Sequence, residues 1–388
     1  MDLEALQESP IGNLVPITGT DARYGEFSYW GYQPAQLPAE VDFSAETWSA
    51  LLEASGELAR LDQAAIQIPN SGLLRRPTLR REAQSTSALE GTVVAFTEVL
   101  EAEAADDSRS TTPELREVLN YIRAAEDAFE WINERPITVG MLEGLQGTLT
   151  AGTATLDPGQ LRTRQVAIGA KGRPIHEARF VPQPPGDSLR NSVEQLLTWI
   201  GTPSRIAPIA RAALAHYQFE TIHPFTDGNG RIGRLLVVLQ LMRDGALRDP
   251  VLIVSPWFEA RRRDYQDQLL QTSETGDFDS WVRFFSHGIG AQALDTRERI
   301  EMLLDLQRQH REVIATTKYR GVITQMADGL IEHPILTVKS LARRYEVTYQ
   351  AANTVVERLV GLGLLNEVTG RSRGRFFEAS DVLGVLDA

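Results

Sequence analysis

Cysteine does not occur anywhere in the 388 residues, so disulfides, thiolate nucleophiles and cysteine-based zinc sites are excluded and no oxidising compartment is implied. Long hydrophobic runs are missing too. The longest, such as Leu235 to Leu239, fall far short of the roughly 20 apolar residues a membrane-spanning helix needs. The opening Met1-Asp2-Leu3-Glu4 has neither the basic nor the apolar region of a secretory signal. These omissions point to a soluble cytoplasmic protein. Positive charge is in short supply, with 39 Lys and Arg against 52 Asp and Glu and a formal net charge of −13, which argues against a surface that binds nucleic acid everywhere. The deficit is uneven. From Lys318 onward nine Lys/Arg meet eight Asp/Glu, leaving −14 on the first 317 residues, so only the C-terminal part is suited to approach a polyanion. The length exceeds one ordinary core and predicts two or three domains.

The most concentrated chemistry lies in one run, His223-Pro-Phe-Thr-Asp-Gly-Asn-Gly-Arg-Ile-Gly-Arg234. Gly228 and Gly230 allow left-handed dihedrals around Asn229, so successive N–H groups can face one concavity and hold phosphate oxygens. Those amides lead into an apolar helix beginning near Arg231 and running to Gln240, whose positive end faces the same anion. Arg231 and Arg234 leave one side of its first turn, and their planar guanidinium forks suit phosphate oxygens. A lone His223 would more often be a core side chain. Beside a triphosphate site, an imidazole with an ordinary pKa of about 6.5 can take a proton from a hydroxyl. Asp227 either starts a turn or serves as a Mg²⁺ ligand next to phosphates. His216, two helical turns before His223, suggests a metal triad with Asp227. No His-Glu-x-x-His is present, however, and zinc would leave the nest and the arginines unexplained.

This run resembles the Fic-domain signature, His-x-Phe-x-(Asp/Glu)-Gly-Asn-Gly-Arg-x-x-Arg, and matches it at every specified position. The residues before it, Ala215 to Ile222, resemble the helix that leads into the motif in Fic proteins. The resemblance implies a protein adenylyltransferase that moves AMP from ATP to a Tyr, Thr or Ser hydroxyl of a protein, the chain itself included. In it, His223 would be the general base, Asp227 the Mg²⁺ ligand, Gly228, Asn229 and Gly230 the phosphate nest, and Arg231 and Arg234 the β- and γ-phosphate ligands. Transfer of another nucleotide, or removal of AMP, would use the same site. A non-enzymatic alternative is a DNA-binding regulator whose core senses nucleotide, but a pure sensor need not retain a base.

Two further segments carry the resemblance. Between Pro158 and Pro185 two short β-prone pieces flank the turn Ala170-Lys-Gly-Arg-Pro174, a hairpin signature. In Fic enzymes a flap occupies this place and docks the target by strand addition, which would fall to Val166, Ala167, Ile168 and Gly169. Upstream, Arg80 to Gly91 reads as a helix ending at a glycine cap, with Thr86 and Glu90 on one face. It resembles the Fic inhibitory motif, (Ser/Thr)-x-x-x-Glu-(Gly/Asn), which implies that Glu90 takes the Arg234 guanidinium away from the γ-phosphate. Gln146 stands where relatives often have histidine and receives no role. Arg162, Gln165, Ser255 to Phe258 and Tyr265 resemble positions near the nucleotide, and read equally well as packing.

The expected architecture is mainly α: a Fic helical core with a short β-hairpin flap, plus a C-terminal winged helix-turn-helix domain. Residues 1–110 form an N-terminal extension with the inhibitory helix, opening on a loop-like aromatic stretch, Tyr29 to Pro38. Residues 111–288 form the core, starting at the Thr112-Pro113-Glu114 cap signal. A charged connecting helix occupies 289–317 and the winged helix 318–388. In that last module Tyr349, Gln350, Asn353 and the wing arginines Arg371, Arg373 and Arg375 are placed to touch duplex DNA. Homodimerisation or protein docking would use the same module.

Overall fold

The computed structural model describes residues 1–66, 72–105, 111–169, 172–369 and 374–387. The expected turn residues Ala170 and Lys171 and the wing arginines Arg371 and Arg373 lie outside them. In chain order the described elements are helix α1 (Leu3–Gln7), strands β1 (Gly12–Asp21) and β2 (Gly25–Pro34), and helices α2 (Ala45–Ile66), α3 (Gly72–Leu89), α4 (Phe96–Ala105), α5 (Pro113–Ile132) and α6 (Val139–Leu149). Then come α7 (Asp187–Gly201), α8 (Pro208–Ile222), α9 (Asn229–Arg243), α10 (Ser255–Ala260), α11 (Arg262–Thr275) and α12 (Phe278–Ala315). The chain continues through α13 (Val322–Asp328), β3 (Ile335–Thr337), α14 (Val338–Arg344), α15 (Tyr349–Gly361), β4 (Asn366–Glu367), β5 (Phe376–Glu378) and α16 (Ser380–Leu386). The mainly helical expectation holds.

The chain divides into two compact units. One comprises residues 1–59, 120–250 and 254–292, the other 60–119, 251–253 and 293–388. The division cuts across the segments expected from sequence, because the first 59 residues fold with the core while α3 and α4 fold with the C-terminal part.

In the first unit, α9 is buried along Asn229 to Leu241, as a helix that is apolar nearly all round must be. Helix α8 packs against it with a similar buried face. Gly233 makes this crossing possible, since a Cβ there would come within 2.5 Å of Glu220 Oε1 and 3.2 Å of His216 Cε1. Beneath α8, Trp281 is fully buried and donates from Nε1 to the Ala213 carbonyl at 2.8 Å. Tyr29 to Pro34, read as loop from sequence, is instead part of strand β2, paired antiparallel to β1 from Gly12↔Pro34 to Asp21↔Gly25. Its Gly31 and Pro34 resemble loop composition, but the pairing and a bond from the Tyr32 N–H to the Val181 carbonyl at 2.8 Å make it a strand. Ile17, Ala178 and Val181 form a small core beside this ribbon. At its turn, the Tyr24 hydroxyl donates to the Gly172 carbonyl at 2.6 Å.

The second unit holds a three-stranded sheet of order β3-β5-β4, with α14 and α15 between β3 and β4. Thr337 and Ser340 close a capping box on α14, and Thr348 caps α15. Strand β3 and helix α16 were not anticipated. The core and connecting-helix segments expected on either side of Gly288 share one helix, α12, of 38 residues. Gly288 is a packing glycine, with Phe258 and Trp257 carbons 2.9 Å from where its Cβ would stand.

Candidate active site

The loop between α8 and α9 carries the motif, and its shape follows from a few residues. Helix α8 ends at His223 in a left-handed conformation, φ 50° and ψ 64°, unusual for a residue with a side chain and maintained only where surroundings over-determine it. Arg162 supplies much of that determination. Its side chain is 1 % exposed. Its Nε donates to the His223 carbonyl at 2.8 Å, Nη2 to the Gln183 carbonyl at 2.6 Å, and its backbone N–H to the Pro224 carbonyl at 2.9 Å. Burial pulls the Arg162 guanidinium down to about 10, still protonated at neutral pH. Asn229 closes the other side. Its Oδ1 accepts from the Phe225 N–H and its Nδ2 donates to the Phe225 carbonyl, each at 2.8 Å, while the Phe225 ring is fully buried. Gln146 donates from Nε2 to the Asp227 carbonyl at 3.3 Å and accepts from the Gly159 N–H. Pro224, Phe225, Gly228 and Asn229 are therefore sunk, and His223, Thr226 and Asp227 remain half-buried.

The imidazole is oriented as a base requires. His223 Nδ1 lies 3.3 Å from the Glu220 carbonyl, which can only accept, so Nδ1 carries the proton and the lone pair falls on Nε2. Asp227 accepts from the Thr155 hydroxyl at 3.0 Å and from Arg231 Nη2 at 3.2 Å. Its side chain is still 47 % exposed.

Gly228 caps α9 at φ 84°, where a Cβ would also meet Leu149 Cδ2 at 2.7 Å. Gly230, expected to be left-handed as well, is not; it lies in the first turn of α9. The helix starts at Asn229 rather than Arg231, so the Asn229, Gly230 and Arg231 amides lie in its first turn, the end of a helix that favours an anion. Arg231 and Arg234 are 2 % and 1 % exposed, which rules out solvated helix charges.

His216 is a core side chain. It bonds the Tyr265 hydroxyl at 2.7 Å and stacks near Tyr265, Trp281 and Phe285. Burial, and then the Arg234 charge, push its pKa down to about 3. A histidine committed to Tyr265 in an aromatic core does not complete a zinc triad with His223 and Asp227. A single half-exposed carboxylate still suits Mg²⁺, which keeps several waters and takes one or two carboxylates together with substrate phosphates. Ser255 to Phe258 and Tyr265 belong to the same aromatic core.

The flap segment closes through one antiparallel bridge, Ile168↔Phe180, rather than a ladder. The Ile168 N–H donates to the Phe180 carbonyl at 2.8 Å and its carbonyl accepts from the Phe180 N–H at 3.2 Å. Gln165 Nε2 donates to Val166 and Pro182 carbonyls at 3.0 and 2.8 Å, joining the two arms. Val166 and Ala167 are half-buried and Gly169 exposed, at φ 78°.

In the second unit α3 ends in a Schellman turn. The Thr92 N–H reaches the Ser87 carbonyl and the Gly91 N–H the Ala88 carbonyl, each at 2.9 Å, with Gly91 at φ 96°. Thr86 is buried and Glu90 exposed at the cap. On α15 Tyr349 is 61 % exposed. Asn353 is tied to Glu357 at 2.7 Å and to Arg375 at 3.0 Å, and Arg375 to Glu367 at 3.3 Å. Arg162, Gln146, Thr155 and Gly233 are the site residues that sequence reading passed over or left without a role. Their partners lie up to 81 residues away, and no local pattern marks them.

Comparison with known proteins finds one family. Residues 48–130 match the Fic/DOC family N-terminal region and residues 136–241 the Fic/DOC family domain. The chain is 35 % identical over 131 residues to protein adenylyltransferase fic-1 of Caenorhabditis elegans, covering 33 % of this chain and 22 % of that protein. It is 28 % identical over 245 residues to protein adenylyltransferase Fic of Drosophila grimshawi, covering 60 % of this chain and 45 % of that one. The chain thus spans less than half the length of these curated relatives. Among solved structures, a Fic family protein from Desulfovibrio desulfuricans superposes with a TM-score of 0.57 at 20 % identity, over 88 % of this chain and 98 % of the other.

Proposed function

We propose that this chain, which carries a Fic/DOC family domain behind a Fic N-terminal region, is a protein adenylyltransferase using ATP. The observation that carries the reading is the His223 geometry: a strained left-handed residue, held by Arg162, whose Nδ1–H is spent on the Glu220 carbonyl. This leaves Nε2 to accept the proton of a target hydroxyl as its oxygen bonds the α-phosphorus and pyrophosphate leaves. The α9 amides and Arg231 bind the phosphates, joined by Arg234. Asp227 would hold Mg²⁺, which would neutralise phosphate charge. The target segment docks along Val166 to Gly169 by strand addition. Glu90, with Thr86 buried beneath it, restrains the enzyme by drawing Arg234 away from the γ-phosphate.

Incubation of the purified chain with ATP and Mg²⁺ followed by mass spectrometry tests the reading. A gain of one AMP on a Tyr, Thr or Ser supports it, while nucleotide binding without any adduct favours a sensor. Parallel reactions with GTP and CTP select the nucleotide, and pre-adenylylated protein tests removal.

Residues 318–388 we read as a winged helix from the order β3, α14, α15, β4, β5. Duplex DNA would have to separate Arg375 and Asn353 from Glu367 and Glu357. Binding that persists at low salt and weakens in the joint Arg371, Arg373 and Arg375 to Ala variant would establish it. A second copy of the chain at this module would instead show as a dimer in sedimentation.

A further inference from the structure

The helix that carries Thr86 and Glu90 is anchored on the C-terminal module. Arg80, nearly three turns before the cap, is 1 % exposed. Its guanidinium donates through Nη1 to the Glu332 carbonyl and through Nη2 to the Glu103 carboxylate of α4. Nη2 also lies 3.3 Å from His333 Nδ1. A guanidinium can only donate, so Nδ1 is the acceptor and His333 carries its proton on Nε2, which faces Glu332 Oε1 at 3.2 Å. Arg76, one turn earlier, pairs with the same carboxylate at 3.4 Å. Burial works against ionisation of Glu332, but the His333 bond and the nearby Arg76 and Arg80 charges hold its carboxyl below the usual range. Arg81 reaches the other end of the module, donating to the Leu386 carbonyl at 3.4 Å with Asp387 at 3.8 Å.

These contacts lead into the module's own frame. Glu332 and His333 stand just before β3, which ends in the Thr337 cap of α14. The Thr337 hydroxyl in turn reaches the Ala104 carbonyl of α4 at 3.5 Å. Any displacement of β3 and α14 must therefore move the groups that hold Arg80. A buried guanidinium left without its acceptors is costly, so α3 has to follow. From this we infer that Arg80 is a positioning residue for the brake, and that the C-terminal module sets the activity of the catalytic site by holding or releasing α3. The inference rests on the proposed restraint by Glu90. It adds where that restraint is controlled: an occupant of the module acts on the enzyme through the Arg80–Glu332–His333 node.

The test uses the full chain in five forms: wild type, Arg80→Lys, Glu332→Gln, Glu90→Gly, and Arg80→Lys combined with Glu90→Gly. Labelled AMP incorporation and amide hydrogen exchange of residues 78–90 are measured on each. Lysine keeps the charge but loses the fork, and Glu332→Gln removes the Arg76 and His333 pairings with little change of shape. Both are expected to raise incorporation by about fivefold or more and to speed exchange in residues 78–90. In the Glu90→Gly background Arg80→Lys should add nothing, because both act through one restraint. Wild-type incorporation by Arg80→Lys and Glu332→Gln, with Glu90→Gly raised, overturns the inference and leaves the brake standing. If Glu90→Gly is not raised, the brake reading itself fails. Exchange then decides the anchoring alone, and unchanged protection of residues 78–90 in both variants overturns it.

Discussion

Around His223 the chain is anchored almost wholly through neutral backbone groups: Arg162 on the His223 and Gln183 carbonyls, Asn229 on both polar groups of Phe225, and Gln146 on the Asp227 carbonyl. Around Arg80 the anchors include ionised side chains, Glu103, Glu332 and Arg76, some of them partly open to solvent. Backbone acceptors fix one geometry and change little with salt or with an approaching charge. Ion pairs near the surface respond to both. The contrast shows where adjustability lies: the loop carrying His223 is held by buried backbone contacts, and the helix proposed to restrain it by ion pairs that are partly open to solvent.

The largest effect should come from removing the imidazole proposed as the base, which the rigid loop positions. His223→Ala should lower AMP transfer by roughly 10²- to 10⁴-fold with ATP affinity nearly unchanged, read from labelled AMP incorporation and from calorimetry. Equal turnover would remove His223 from the chemistry.

Arg162→Lys probes the anchoring itself. Lysine cannot span the His223 and Gln183 carbonyls together, so kcat should fall by about 10- to 100-fold through misplacement of the imidazole while KM for ATP stays close to wild type. A change confined to KM would assign Arg162 to nucleotide binding instead.

On the adjustable side the expected change is upward. Glu90→Gly should raise self-modification by about tenfold, and adding Arg234→Ala should abolish the gain, because in the proposed restraint the freed arginine aligns the triphosphate. A double variant as active as Glu90→Gly alone would separate Glu90 from Arg234.

The smallest effect concerns acid stability, and it sets two buried imidazoles side by side. Burial, then the Arg234 charge, lowers His216 to about 3. Burial, opposed by the Glu332 bond, lowers His333 to about 4. The unfolded chain protonates both near 6.5, so below that pH it binds more protons than the native protein. Their contribution to stability is complete above about pH 6.5 and lost as pH falls toward the folded values. The unfolding midpoint should therefore drop between pH 7 and 4.5, and His216→Gln should flatten that drop. An unchanged slope would mean that His216 is not held neutral.

Much of the site was legible because its information is local. Gly228 needs its left-handed turn, Thr112 and Pro113 start α5 where they should, and Gly91 ends α3 as a glycine cap does. The same locality misled elsewhere. Gly230 sits in an ordinary helical turn once Gly228 has made the left-handed one. Gly288, read as the end of the core, is a contact point for Phe258 and Trp257 inside a continuous helix, and the compact units divide four residues later, after Gln292. Tyr29 to Pro34 looked like a loop until paired with β1 and bonded to Val181, 149 positions beyond Tyr32.

What residue order settles here is the chemistry within one or two turns of chain: a histidine, a carboxylate, a glycine-capped helix start and two arginines, spaced by the signature. Tertiary packing alone decides that Arg162, 61 residues from His223, holds its backbone, and that α3 folds with residues 293–388 rather than with the core. Arg80 meets Glu332 across 252 positions. The physical reason is that a buried donor must find an acceptor wherever the fold brings one, and nothing in the spacing along a chain records which distant carbonyl that will be.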